Sequence, residues 1–139
     1  MVIDTSAVIA ILAQEDDAHR LGAAIQEDDV RLMSAATLTE AGIVATVLFG
    51  EGGAADLDDL LNEMQVEIVP LTEDHARLAR QAFVAFGKGR HPARLNFGDC
   101  FAYALAKASG HALLFKGNDF SHTDVEGAPV RVESTTPRP

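Results

Sequence analysis

Short apolar runs alternate with helical periods along this chain, and the alternation predicts its elements. Residues 2–4 (VID) read as a buried strand, and TSAVIAILAQ then opens a helix capped by Thr5 or Ser6. A second helix runs through DDAHRLGAAIQEDD. RLMS at 31–34 is a strand, and TLTEAGIVATVLFG is a helix capped near Ala36 or Thr37. Residues 55–64 place Leu57, Leu60, Leu61 and Met64 on one helical face. VEIVP at 66–70 is a strand stopped by Pro70, and Thr72 caps a helix through Phe86. GKGRHPARLNFG at 87–98 reads as a loop, and 99–109 as a helix ended by Gly110. ALLF at 112–115 is a strand, GNDF a turn, and VRVE at 130–133 a last strand. The apolar stripe Ile43, Val44, Val47 and Leu48 is read as core rather than as a groove for a partner.

Strands alternating with helices imply a parallel sheet covered on both faces, because each crossover helix packs back onto the sheet. The functional crevice of such a sheet lies beyond the carboxyl ends of its strands, where the strand order reverses. With 139 residues and no repeat or linker, the chain reads as one domain over 1–133 and a tail at 134–139. Cys100 is the sole cysteine, which excludes an internal disulfide framework and a cysteine-rich metal site. No apolar run approaches the ~20 residues of a membrane span. The expectation is a soluble, cytoplasmic protein without a membrane partner.

A formal net charge of −10 argues at first against a nucleic-acid partner. The distribution of that charge argues the other way. Residues 1–74 hold two basic residues, Arg20 and Arg31, against sixteen acids; residues 75–139 hold nine against five. Between Arg77 and Arg94 lie five basic residues and no acid. That asymmetry allows a local basic surface on an acidic protein, although a solvated helix face and loop would read the same way.

Acids stand where the crevice is expected. Asp4 ends the first strand, Glu40 lies in the helix after the second, Asp99 starts the helix before the fourth, and Asp119 follows the fourth. Singly, Asp99 and Asp119 serve equally well as helix or turn caps, and Glu40 fits a capping box with Thr37. Asp4 fits that reading less well, because it interrupts an apolar strand and is costly to bury unpaired. Together, four carboxylates in one crevice repel each other unless a cation compensates them. A hard divalent ion, Mg²⁺ or Mn²⁺, suits oxygen ligands and supports attack of water on a phosphoryl group. No Gly-rich phosphate loop and no histidine pair with zinc spacing is present.

VIDTSAVIAIL, the helix Glu40, LNFGDCFAYALAKA and LLFKGNDF together resemble a PIN-domain ribonuclease, in particular the VapC-type toxins of toxin–antitoxin pairs. The resemblance runs in order along nearly the whole chain. It implies a three-layer α/β/α fold with a central parallel sheet and an acid cluster binding Mg²⁺ or Mn²⁺. Asp4 and Asp99 then look like the principal metal ligands, with Glu40 and Asp119 completing the quartet. Thr5 or Ser6 is similar to the family's hydroxyl that steadies the strand-one Asp. Also implied are cleavage of single-stranded or structured RNA, such as tRNA or rRNA loops, and a homodimer. A VapB-type antitoxin is implied as well, its arm aiming an Arg or Lys at the acids. Lys88, Arg90, His91 and Arg94 precede Asp99 and are positioned for RNA phosphate. Lys116 suits either phosphate or a structural ion pair.

Two rivals remain. A phosphoacceptor receiver domain needs an Asp ending the third strand, and VEIVPLT supplies none. A catalytically inactive PIN-like binding module is the alternative that an intact quartet opposes.

Overall fold

A computed structural model describes residues 1–132. Four parallel strands, β1 (Val2–Ile3), β2 (Leu32–Ser34), β3 (Glu67–Val69) and β4 (Leu113–Leu114), lie in the order β3-β2-β1-β4. Six helices surround them: α1 (Thr5–Leu12), α2 (Ala18–Glu27), α3 (Ala35–Phe49), α4 (Gly53–Glu63), α5 (Glu73–Phe86) and α6 (Phe97–Ser109). A 3-10 turn (Asp119–His122) follows β4.

The two-residue period of the strands sorts the core into two layers. Ile3, Met33 and Leu114 pack with Val8, Ile25, Leu57 and Leu61 from α1, α2 and α4. Their neighbours Val2, Leu32 and Leu113 point the other way and pack with Ala79, Ala82 and Leu105 from α5 and α6. This is the expected three-layer α/β/α architecture. The chain steps outward from β1 to β2 to β3, then crosses back to place β4 on the far side of β1. The order therefore reverses beside β1, and the carboxyl ends of β1 and β4 border the crevice.

Several boundaries differ from the reading of the sequence, among them the start of α6 at Phe97 rather than Asp99 and of α4 at Gly53 rather than Ala55. Asp4 caps α1 itself, its carboxylate accepting the Ser6 N–H, so neither Thr5 nor Ser6 is the cap. Ser34 caps α3 by accepting the Ala36 N–H at 3.2 Å, starting the helix early and placing Glu40 in its second turn. The capping box of Glu40 with Thr37 is thereby ruled out. The strand expected at 130–133 does not form over residues 130–132, and Glu133 lies outside the described residues, as does the tail at 134–139. What forms instead is one parallel bridge, Leu113 to Gly127, with Leu113 N–H donating to Glu126 O and Ala128 N–H to Leu113 O.

The apolar stripe on α3 is also placed differently. Ile43, Val47 and Leu48 are exposed, at 61, 79 and 57%. Of the apolar residues of α3, only Ala41 and Ala45 are fully buried, on the side where α1, α4 and α6 pack. The expectation that this stripe belongs to the core is wrong.

Candidate active site

Asp4 follows β1 and is 2% exposed. Its Oδ2 accepts two hydrogen bonds from Ser6, from N–H at 3.0 Å and from Oγ–H at 2.7 Å. Its Oδ1 is buried with no donor. Burial pushes the carboxyl up to about 6, against the two Ser6 bonds, and the charge of Glu40 adds to the rise. The Ser6 hydroxyl oxygen also accepts the Lys116 N–H at 2.9 Å, which ties the turn after β4 to Asp4.

Asp99 occupies the third position of α6. Asn96 caps that helix, its Oδ1 accepting the Asp99 N–H at 2.9 Å while Asp99 Oδ2 accepts the Asn96 N–H at 3.0 Å. This reciprocal box fixes Asp99 at the amino end of α6, the end that meets the carboxyl edge of the sheet. Burial pushes the Asp99 carboxyl up to about 7, the Asn96 N–H pulls it down, and the charges of Asp4, Glu40 and Asp119 raise it further. Asp4, Glu40 and Asp119 are thus all near enough for their charges to act on Asp99.

Glu40 reaches that crevice from α3. Thr5 Oγ–H donates to its Oε1 at 2.5 Å. The two hydroxyls after Asp4 divide the work: Ser6 steadies Asp4, and Thr5 holds Glu40. Asp119 opens the 3-10 turn and is exposed.

Among the described residues, no three His, Cys, Asp or Glu side chains close on one point tightly enough to cage an ion by themselves. Mg²⁺ takes one or two carboxylates and keeps several waters. The donor set fits: a buried carboxylate oxygen lacking any hydrogen-bond donor, beside a second carboxyl raised by burial and neighbouring negative charge.

The basic residues stand elsewhere. Lys88, Arg90 and Arg94 are exposed on the segment before α6, and none forms an ion pair with another described residue. This segment is more ordered than a bare loop. Gly87 bridges Leu95, Lys88 N–H donates to Leu95 O, and Ala93 and Leu95 are fully buried. His91 is turned inward, its Nδ1 accepting the Ala93 N–H at 3.0 Å and its ring set edge-on to Phe86. Lys116 pairs with Glu15 and, at 3.2 Å, with Asp17, so the ion pair is the one of its two readings that is formed.

Sequence reasoning missed Gly98 and Phe97. A cleft of about 400 Å³ beside the acids is lined by Glu40, Ile43, Val44, Phe97, Gly98 and Phe101. Phe97 is 80% exposed and meets Phe101 edge-on. A larger apolar cleft of about 680 Å³ lies between α5 and α6, walled by Leu71, Phe83, Val84, Phe97 and Phe101. The available signal was the pair F-G before Asp99, an aromatic and a glycine where a helix start tolerates many residues.

The acids at the sheet's order reversal make the candidate site, and comparison with known proteins places the chain in a family. Residues 1–126 match the PIN domain. Ribonuclease VapC30 of Mycobacterium tuberculosis is 52% identical over 125 residues, covering 90% of this chain and 95% of that protein. Ribonuclease VapC of Mycolicibacterium smegmatis is 53% identical, covering 90% of this chain and 97% of its own length. The fold resembles crystallised VapC20 of Mycobacterium tuberculosis, described as a sarcin-ricin loop cleaving toxin (TM-score 0.72, 19% identity, 89% of this chain and 95% of that one). A toxin–antitoxin complex from Klebsiella pneumoniae is also similar (TM-score 0.66, 15% identity, 88 and 92% coverage). The chain belongs to the PIN-domain family, among its VapC ribonucleases.

Proposed function

We propose that this chain is a divalent-metal-dependent ribonuclease, the toxin of a toxin–antitoxin pair, that hydrolyses phosphodiester bonds in single-stranded or structured RNA. The observation that supports it most is the Asp4 carboxylate, buried with one oxygen unpartnered inside a crevice of three further acids. In this reading Asp4 and Asp99 hold Mg²⁺ or Mn²⁺ directly, and Glu40 and Asp119 do so through water. A divalent ion supplies charge neutralisation on the phosphodiester and activation of water. Ser6 keeps Asp4 oriented, Thr5 keeps Glu40 oriented, and the Asn96 box keeps Asp99 at the helix end. Glu40, held at the edge of the crevice, accepts a proton from the attacking water. Lys88, Arg90 and Arg94 bind RNA phosphates, while Lys116 contributes only by leaving Glu15 and Asp17.

The antitoxin is a VapB-type protein. Its apolar segment lies on the exposed α3 face of Ile43, Val47 and Leu48, and a guanidinium or ammonium of its arm enters the acid crevice. The protein acts in the cytoplasm, as a homodimer within the hetero-oligomer. Inducing the chain in bacteria should arrest growth, co-expressing the antitoxin encoded beside it should restore growth, and Asp99→Asn should be harmless from the start. Growth arrest of equal strength by Asp99→Asn would contradict the ribonuclease reading and favour an inactive module that acts by binding.

A further inference from the structure

Glu40 is gripped by the chain neighbours of both proposed metal ligands. Thr5, next after Asp4, donates to Glu40 Oε1 at 2.5 Å. Gly98, immediately before Asp99, lies under the other oxygen: a Cβ built there would overlap Glu40 Oε2 and Cδ. Gly98 is buried and helical, with no positive φ that would demand glycine. Glycine is a poor helix former, so the backbone alone favours alanine at this position. The three atoms nearest to a Cβ at this position all belong to the Glu40 carboxylate.

We infer that Gly98 is a positioning residue for Glu40: its missing side chain is the seat of the Glu40 carboxylate, and with Thr5 it sets Glu40 against Asp4 and Asp99. The inference rests on the ribonuclease reading above. Three elements meet at this seat, α1 through Thr5, α3 through Glu40 and α6 through Gly98. A methyl group at 98 meets first the far end of a flexible side chain. Glu40 swings aside, the helix is undisturbed, and the fold survives while the quartet loses a member. Glu40→Asp shortens the side chain by one methylene and so makes room for that methyl.

The test is a double-mutant cycle on the full-length protein, read by Mn²⁺ titration calorimetry, by kcat and KM on RNA, and by thermal melting. Gly98→Ala should melt no lower than wild type. It should lose kcat and Mn²⁺ affinity by roughly 10–100-fold, the range typical when the support of a metal site is removed, with KM little changed. In a Glu40→Gln background the same change should cost nothing further, and Gly98→Ala/Glu40→Asp should recover activity over Gly98→Ala alone. Equal losses in both backgrounds, in a wild type that binds Mn²⁺ and cleaves RNA, would overturn this inference and leave the ribonuclease reading intact. A wild type that does neither would overturn both.

Discussion

Asp4 holds its proton up to about pH 6 because burial disfavours its charge more than the Ser6 hydrogen bonds favour it, and Asp99 holds its own up to about pH 7. Both carboxyls ordinarily titrate near 3.8, so the folded chain binds more protons than the unfolded chain across this window. Their stabilising contribution is complete below about 3.8 and is lost as pH rises through 6 and then 7. The metal-free protein, kept in chelator, should therefore melt at falling temperature from about pH 4 to pH 7. Asp4→Asn should melt higher than wild type at pH 7 and show a shallower decline. Melting curves that are flat with pH in wild type would contradict the buried, mutually repelling acids. Asp28 and Asp124, both held below their ordinary value, act in the opposite direction and at lower pH. Asp4 was legible from sequence because an acid that ends an apolar strand is costly without a partner. Its companion bond from Thr5 to Glu40 was not legible, since a contact across 35 residues leaves no trace in periodicity.

At the scale of elements, α6 carries its candidate acid, Asp99, as part of its own capping box. The preceding segment shows how a loop signature hides structure. Gly, Pro and basic residues at 87–98 read as a loop, yet Ala93 and Leu95 are buried plugs and Gly87 pairs with Leu95. Two apolar residues standing outside any regular run are invisible to a helix or strand period. Anchoring the backbone leaves Lys88, Arg90 and Arg94 facing solvent in fixed places. Replacing all three with Ala should weaken RNA binding and reduce the log–log salt slope by roughly 0.7 for each phosphate no longer neutralised, about 2 in total. The melting temperature should stay put, because none of the three side chains is buried. An unchanged slope would make them solvated loop residues only.

Among the described residues of the whole molecule, four strands and six helices follow the alternation of the sequence. What alternation could not decide was which apolar residues face outward. α3 buries alanines against its neighbours and exposes Ile43, Val47 and Leu48, so a helix with apolar residues all round turned out to be only half covered. A surface of this kind marks an interaction site. Val47→Asp with Leu48→Asp should abolish inhibition by the antitoxin while leaving RNA cleavage by the free toxin near wild type. Inhibition retained in that variant would move the docking site to the α5–α6 cleft.

Metal-dependent chemistry at the quartet beside the sheet's order reversal is the central claim, and RNA cleavage by the purified chain tests it most directly. Wild type incubated with RNA in Mg²⁺ or Mn²⁺ should cut it, chelator should stop the reaction, and added metal should restart it. Asp4→Asn and Asp99→Asn should each lose more than the ~10–100-fold that changes in the outer shell of a metal site cost. Cleavage that persists in chelator, or at wild-type rate in either variant, would contradict it.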